Sequence, residues 1–184
     1  METPRVVGLD LSMTCTGIAL PNGATTLVKT TQNDGDYRLV AIRDAVRIAL
    51  GDAPDGTGWP TNPTPALVVI EDLPTHAKSA GITGMVHGAV RTLLQERTVP
   101  YALVAPATLK AFATGTGSGD KTAMAMAAYK RAGAEFENDK GGDQCDAWWL
   151  RAAGLQYLGH PVVELPAPQV ARLDKVTWPE LAVA

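Results

Sequence analysis

The chain has 184 residues, 46% of them hydrophobic, and a formal charge of −3. That length predicts one domain with a sizeable core; no run approaches the ~18 apolar residues of a membrane span, and no basic-then-apolar opening suggests export. Cys15 and Cys145 stand far apart without metal-type spacing, which reads as reduced thiols in a cytoplasmic setting.

Residues 5–11 are a nearly all-apolar, β-rich run that predicts a buried strand, and the run closes on a lone acid, Asp10. The segment after it, L11-S12-M13-T14-C15-T16-G17, is small and hydroxyl-rich, so Ser12 and Thr14 leave room for another molecule to approach the backbone. Apolar residues resume over 16–20, Pro21-Asn22-Gly23 signals a turn, and 25–31 completes three successive antiparallel strands. Leu39, Val40, Val46 and Leu50 recur at helical intervals and predict a helix over about 36–50. Residues 51–65, G-D-A-P-D-G-T-G-W-P-T-N-P-T-P, suit neither helix nor strand and read as an exposed loop, because too little chain precedes them for an independent core. A second buried strand over 66–70 is again closed by an acid, Glu71.

The next predicted helix, 81–97, carries Gly81, Gly84, Gly88 and Ala89 along it, which predicts a neighbour packed very close. A strand follows over 101–104, then a short helix over 106–113 broken by T114-G115-T116-G117-S118-G119-D120. Residues 121–132 are helical, with Gly133 as the stop signal, and 142–158 is the last long helix. The Pro-rich tail after His160 reads as irregular chain draped over the surface.

Asp143 and Asp146 are three apart on that last helix, so both project from one face. The helix is apolar on both sides, which points the pair toward protein. Singly, each acid has an ordinary explanation: Asp10 as a turn former, Glu71 at a solvated strand exit, Asp143 and Asp146 favoured at a helix N-terminus by about 0.3–1 kcal/mol. Together, four carboxylates closing apolar segments would repel one another unless a divalent cation lay among them. Oxygen donors of this kind suit Mg²⁺ or Mn²⁺ rather than zinc.

The charge is polarised. Residues 78–131 hold Lys78, Arg91, Arg97, Lys110, Lys121, Lys130 and Arg131 against Glu96 and Asp120, a net +5 that leaves −8 on the remainder. Two bound Mg²⁺ would neutralise four of those negatives, and the basic segment permits contact with phosphates. The 114–120 loop is no P-loop, since Asp120 stands where Gly must precede the Lys and no strand runs into it. It reads as a mobile, backbone-exposed loop that delivers Lys121 and Lys110 to phosphate. His76, close behind Glu71, is a candidate for substrate contact. His87 reads as a packing residue, and Trp148 and Trp149 as core.

The order βββ-α-β-α-β-α-α, with acids ending the first and fourth strands, is a ribonuclease-H-like α/β plan. That plan is a mixed five-stranded sheet, three antiparallel strands then parallel additions, flanked by helices, in which Asp10 and Glu71 meet. The segments G8-L9-D10-L11-S12-M13-T14-C15-T16-G17, V69-I70-E71, G84-M85-V86-H87-G88, P106-A107-T108-L109-K110 through G115-T116-G117-S118-G119-D120-K121, and D143-Q144-C145-D146-A147 resemble, in order and spacing, the RuvC-type Holliday junction resolvases. The likeness runs over roughly residues 5–158.

The resemblance implies a homodimeric endodeoxyribonuclease that uses two Mg²⁺ per active site, with Mn²⁺ able to substitute. It implies paired incisions in a four-way DNA junction, leaving 5′-phosphate and 3′-hydroxyl ends. On it, Asp10, Glu71, Asp143 and Asp146 match the metal-binding carboxylates, Lys121 the active-site lysine and Lys110 its upstream lysine. The DNA contacts expected are Lys110, Lys121, Lys78, His76, Ser12 and Thr14, with the small-residue face of helix 81–97 as part of the dimer contact. Compact members of this sort occur in bacteriophages, which implies a phage origin and the host cytoplasm. The match departs in two places: Leu73-Pro74-Thr75-His76 follows Glu71 where the family often has an aromatic, and the 51–65 insertion is long and Pro-rich. Rival readings are a general ribonuclease-H-like nuclease acting on flaps, RNA–DNA hybrids or RNA, and a non-catalytic DNA-structure-binding protein that would not require the acids. A sugar-kinase or actin-like phosphotransferase needs a second such domain, for which 184 residues leave no room.

Overall fold

The structure, a computed structural model, describes residues 3–54, 64–73 and 80–181. β1 (Val6–Asp10) is buried throughout and β4 (Leu67–Glu71) is buried up to its last residue. Strands covered on both faces need a continuous aliphatic run rather than alternation, which is what V6-V7-G8-L9 and L67-V68-V69-I70 supply. β2 (Cys15–Ala19) and β3 (Thr25–Lys29) pair antiparallel beside β1, while β4 and β5 (Tyr101–Val104) add in parallel on its other side. The sheet order is β3-β2-β1-β4-β5. The sequence predicts this ribonuclease-H-like sheet, and the structure has it. At the β2–β3 turn Gly23 sits at φ 92° and donates to the Leu20 carbonyl at 2.8 Å, so the Pro21-Asn22-Gly23 signal is a true turn.

Strand periodicity sorts the core into two layers. Val6, Leu67, Val69, Ala102 and Val104 face α3 (Pro106–Thr114), α4 (Lys121–Ala132) and α5 (Asp143–Tyr157). Val7, Leu9, Val68 and Ile70 face α1 (Tyr37–Ala49) and α2 (Ala80–Glu96), which meet them through Ile42, Val46, Val86, Val90 and Leu94. By the same parity Asp10 and Glu71 belong to the α5 side. Trp149 is fully buried there, its Nε1 donating to the Met124 carbonyl at 3.1 Å and its ring meeting Phe112 edge-on at 5.8 Å. Trp148 and Trp149 are core, as expected.

Three expectations need correction. The tail after His160 is not merely draped: α6 (Ala167–Val170) leads into a 3-10 turn over Ala171–Lys175, and Val163, Leu173 and Val176 enter the α5-side core. Gln169 Nε2 donates to the Phe112 carbonyl at 2.8 Å. Isolated anchors among prolines have no helical or strand period, so the pattern could not announce them. The 51–65 segment does not begin as an exposed loop either. Gly51, Asp52 and Ala53 are buried, and Asp52, 2% exposed, is held by Arg97 and by Arg47 at 2.9 Å; residues 55–63 lie outside the described residues. Finally, nothing in the described chain packs tightly on the glycine stripe of α2. A methyl group at Gly81 or Gly88 would meet no atom within 4 Å, and at Gly84 only Leu73 Cδ1 at 3.9 Å.

Candidate active site

Register brings the first two acids together. Leu9 pairs with Ile70 across β1 and β4, so Asp10 and Glu71 are the next residues on neighbouring parallel strands. On its other side Asp10 pairs with Gly17 of β2. That glycine is where α5 touches down: a Cβ on Gly17 would lie 1.9 Å from the Asp143 carbonyl oxygen, and one on Gly8 2.0 Å from that of Ala147. At Gly154, further along, the close neighbours are strand side chains instead, and a Cβ would fall 2.7 Å from Val69 Cγ2; at Gly8 and Gly17 they are helix backbone. Backbone-to-backbone approach of this kind is possible only without side chains. It sets the first turn of α5, and with it Asp143 and Asp146, over the Asp10 end of the sheet.

The start of α5 is tied from several directions. The Asp139 carboxylate accepts from the backbone N–H groups of Gln144 at 3.1 Å and Cys145 at 3.0 Å, satisfying two free donors of the first turn. Gln144 accepts from Thr25 Oγ1 and donates to the Glu137 carbonyl, both at 2.8 Å, which joins the helix to β3. The Asp143 carboxylate folds over bare Gly141, where a Cβ would sit 2.3 Å from Oδ2; the Lys121 stem crosses Gly142, with Cδ 2.9 Å from the corresponding position. Lys121 begins α4 because Asp120 is its N-cap, accepting from the Ala123 N–H at 2.8 Å. The residue that disqualifies a P-loop is thus a helix cap.

Burial and mutual repulsion define the electrostatics. Asp10 and Asp146 are each 9% exposed. Burial first, then the charges of Glu71, Asp146 and Asp143, push Asp10 well above the usual carboxylate range. Glu71 rises to about 7 through burial and the charge of Asp146, opposed by Lys110 and Lys121. Asp146 rises to about 6 through burial, again opposed by Lys121 and Lys110. The salt bridges among the described residues all lie elsewhere, at Asp44 and Asp52. Burial, and then the neighbouring Asp143 carboxylate, lift the Cys15 thiol to about 11. Among the described residues no three acidic, His or Cys side chains are already gathered as a metal-holding group. The acids are therefore near enough to repel and not closed into a cage. Their chemistry nevertheless fits a hard divalent cation: the donors are carboxylate oxygens, buried on Asp10 and Asp146 and half-buried on Glu71 and Asp143, three of the acids hold protons too tightly, and a positive ion would relieve both burial and repulsion.

The other expected residues divide. Lys110, half-buried on α3, and Lys121 both bear on Glu71 and Asp146. Ser12 and Thr14 lie in the turn just beyond Asp10, where the Ser12 hydroxyl accepts from the Thr14 N–H at 3.3 Å. Thr16, fully buried, closes that turn by donating to the Ser12 carbonyl at 2.7 Å. His76 and Lys78 lie outside the described residues. His87 is buried, its imidazole held below the usual histidine range by burial and by Arg91, in keeping with a packing role. Reasoning from acids and cations missed Asp139 and the glycines that seat α5. A glycine inside an otherwise aliphatic strand was the available signal for Gly8 and Gly17.

No protein-family model matches the sequence, and no curated protein matches it. Solved structures do. A structure of Thermus thermophilus RuvC aligns with a TM-score of 0.61 at 20% identity, covering 85% of this chain and 97% of that one. T. thermophilus RuvC in complex with a Holliday junction substrate aligns with a TM-score of 0.64 at the same identity and coverage. The chain has the ribonuclease-H-like fold of RuvC.

Proposed function

We propose that the protein is a metal-dependent endonuclease that resolves four-way or other branched DNA junctions by paired phosphodiester hydrolysis. The observation that carries the reading is the convergence of Asp10, Glu71 and Asp146 from β1, β4 and α5, buried or, for Glu71, half-buried, and mutually repelling, with Lys110 and Lys121 at their edge. The fold is shared with a protein solved on a Holliday junction, which supports branched DNA as the substrate class. Asp10, Glu71, Asp143 and Asp146 would hold two Mg²⁺. Those ions, when bound, would supply a Lewis acid for the phosphodiester and lower the pKa of the attacking water.

The chain's own groups do the rest. Asp10 stands between Glu71 on one strand neighbour and the Asp143 backbone over the other, so it would be the central one of the carboxylates that hold the metal. Lys121, crossing Gly142, offers a cation to charge that grows on the phosphate. Lys110 adds positive charge beside Glu71 and Asp146. Ser12 and Thr14, in the turn after Asp10, and Lys78 and His76, after Glu71, are the proposed DNA contacts. Symmetric cutting would require two such sites on a two-fold dimer.

The test is cleavage of an immobile four-way junction, a flap and an RNA–DNA hybrid, with Mg²⁺ and with EDTA. Wild-type protein is expected to cut the junction, with Mg²⁺ only. Asp10→Asn and Asp146→Asn are expected to lose cutting by at least about a thousandfold while still binding it. Asp10→Asn should also melt no lower than wild type without metal, because it removes a repelled buried charge. Preference for the hybrid would favour the general-nuclease reading. Undiminished cutting by both variants would refute the assignment of the acids.

A further inference from the structure

We infer that the cleft between α4 and residues 134–142 is a nucleobase subsite, holding one base of the DNA strand next to the bond cut at the acids; this rests on the nuclease reading. The cleft encloses about 450 Å³, within the range of about 300–1,000 Å³ for small-ligand pockets. It is continuous with the candidate active site, because Lys121, Gly142 and Cys145 line it and belong to both.

Its walls are unlike a solvated helix face. Thr122, Met126 and Tyr129 recur at intervals of four and three on α4 and present one stripe to the cleft. Met126 is 47% exposed and Tyr129 54%, large apolar groups left in water although the helix's core side is already supplied by Met124 and Ala128. Opposite them Phe136 is fixed edge-on against Trp148, with ring centroids 6.2 Å apart.

Charge at the rim decides the occupant. Lys121, which reaches the candidate active site, and Lys140 both line the cleft. Glu135 and Asp139 are the acids of the lining, and the Asp139 carboxylate is turned into the α5 N-terminus, where two backbone N–H donors offset its charge. An aromatic and thioether wall with two lysines in the same lining, adjoining a site for phosphodiester hydrolysis, is the combination that unpaired nucleic acid requires: a face for the base to stack on and cations for its backbone. An uncharged apolar ligand would have no use for the lysines.

The experiment first maps the wild-type cut on a four-way junction. Bases on either side of it are then replaced one at a time by abasic nucleotides. Binding and single-turnover cutting are measured for wild type, Tyr129→Ala and Tyr129→Phe, with melting temperature as the check on folding. Tyr129→Ala is expected to weaken the complex about tenfold, equivalent to about 1.4 kcal/mol, and Tyr129→Phe to behave as wild type. At one position beside the cut, the abasic junction should erase the difference between wild type and Tyr129→Ala. The subsite is overturned if Tyr129→Ala matches wild type on the intact junction, or if its loss is the same on every abasic junction. Wild-type protein that cuts no nucleic acid sinks the nuclease reading and this inference with it; normal wild-type cutting with an indifferent Tyr129→Ala sinks the subsite alone.

Discussion

Two sets of glycines do opposite things in this protein. Gly8 and Gly17 in the sheet, and Gly154 in α5, have no room for a methyl group, with backbone or core side chains 1.9–2.7 Å from where it would sit. Gly81 and Gly88 on α2 have no atom of the described chain within 4 Å of theirs. The first set is spent on bringing α5 down onto β1 and β2. That approach also buries and dehydrates the acids, so the glycines and the raised carboxylates are two consequences of one contact. On α2 the same residue type leaves an open face, with Ile82 and Met85 beside it exposed to solvent. A glycine's role here is set by what lies across from it.

The comparison can be broken, beginning with the largest effect. Gly17→Ala is expected to destabilise the fold by about 3 kcal/mol or more, since the clash is with helix backbone that cannot rotate away. It should also depress cleavage by displacing Asp143. Denaturant unfolding and the junction assay check both, and a Gly17→Ala protein as stable as wild type would contradict the close approach.

A smaller effect sharpens the link between that approach and the acids. Glu71 and Asp146 are lifted to about 7 and about 6, above their values in an unfolded chain. Between those unfolded values and about pH 7 the folded state therefore binds more protons than the unfolded one, so stability falls as pH rises. The contribution is fully present below the unfolded carboxylate pKa and is lost as pH climbs through about 6 to 7. Metal-free protein is expected to melt at a higher temperature at pH 5 than at pH 8, and Mg²⁺ should restore stability at pH 8 by binding only the folded acids. A melting temperature in EDTA that rises steadily from pH 5 to pH 8 would contradict the repulsion.

The smallest effect concerns the open face. Gly88→Ala is expected to stabilise the monomer by about 0.5–1 kcal/mol through helix propensity, with no clash to offset it. If this face is the proposed dimer contact, Gly88→Trp should lower the oligomeric state without unfolding the chain, as read by sedimentation. An unchanged oligomer would remove α2 from that contact.

Much of this arrangement was legible in the residues. Asp10 and Glu71 stood out because each ends an aliphatic run, and strand parity places both on one side of a parallel pair once β1 and β4 are neighbours. The Asp143–Asp146 spacing announced one helical face. The Pro-Asn-Gly turn, the Gly133 stop and the helix at 121–132 are local signals, fixed by a few neighbouring residues, and they hold. Where tertiary partners decide, local signals failed. Asp52 looked like a loop residue and is a buried counter-ion to Arg47 and Arg97, one of them 45 residues away. Leu173 and Val176 looked like a surface tail and are core. The α2 glycines looked like a packing face, and among the described residues a methyl group there would meet only Leu73, at Gly84.

By itself, the sequence determined the order of the strands and of the helices up to α5, the strand faces and which acids are the candidates, because these follow from hydrophobic period and from side-chain chemistry within a few residues. Only the tertiary structure decided that α5 descends on Gly8 and Gly17, that Asp139 anchors its first turn, that Lys121 crosses Gly142, and that a cleft lined by Met126 and Tyr129 opens beside the acids. Those outcomes depend on how closely two backbones distant in sequence can approach, a property of paired surfaces that no single segment carries.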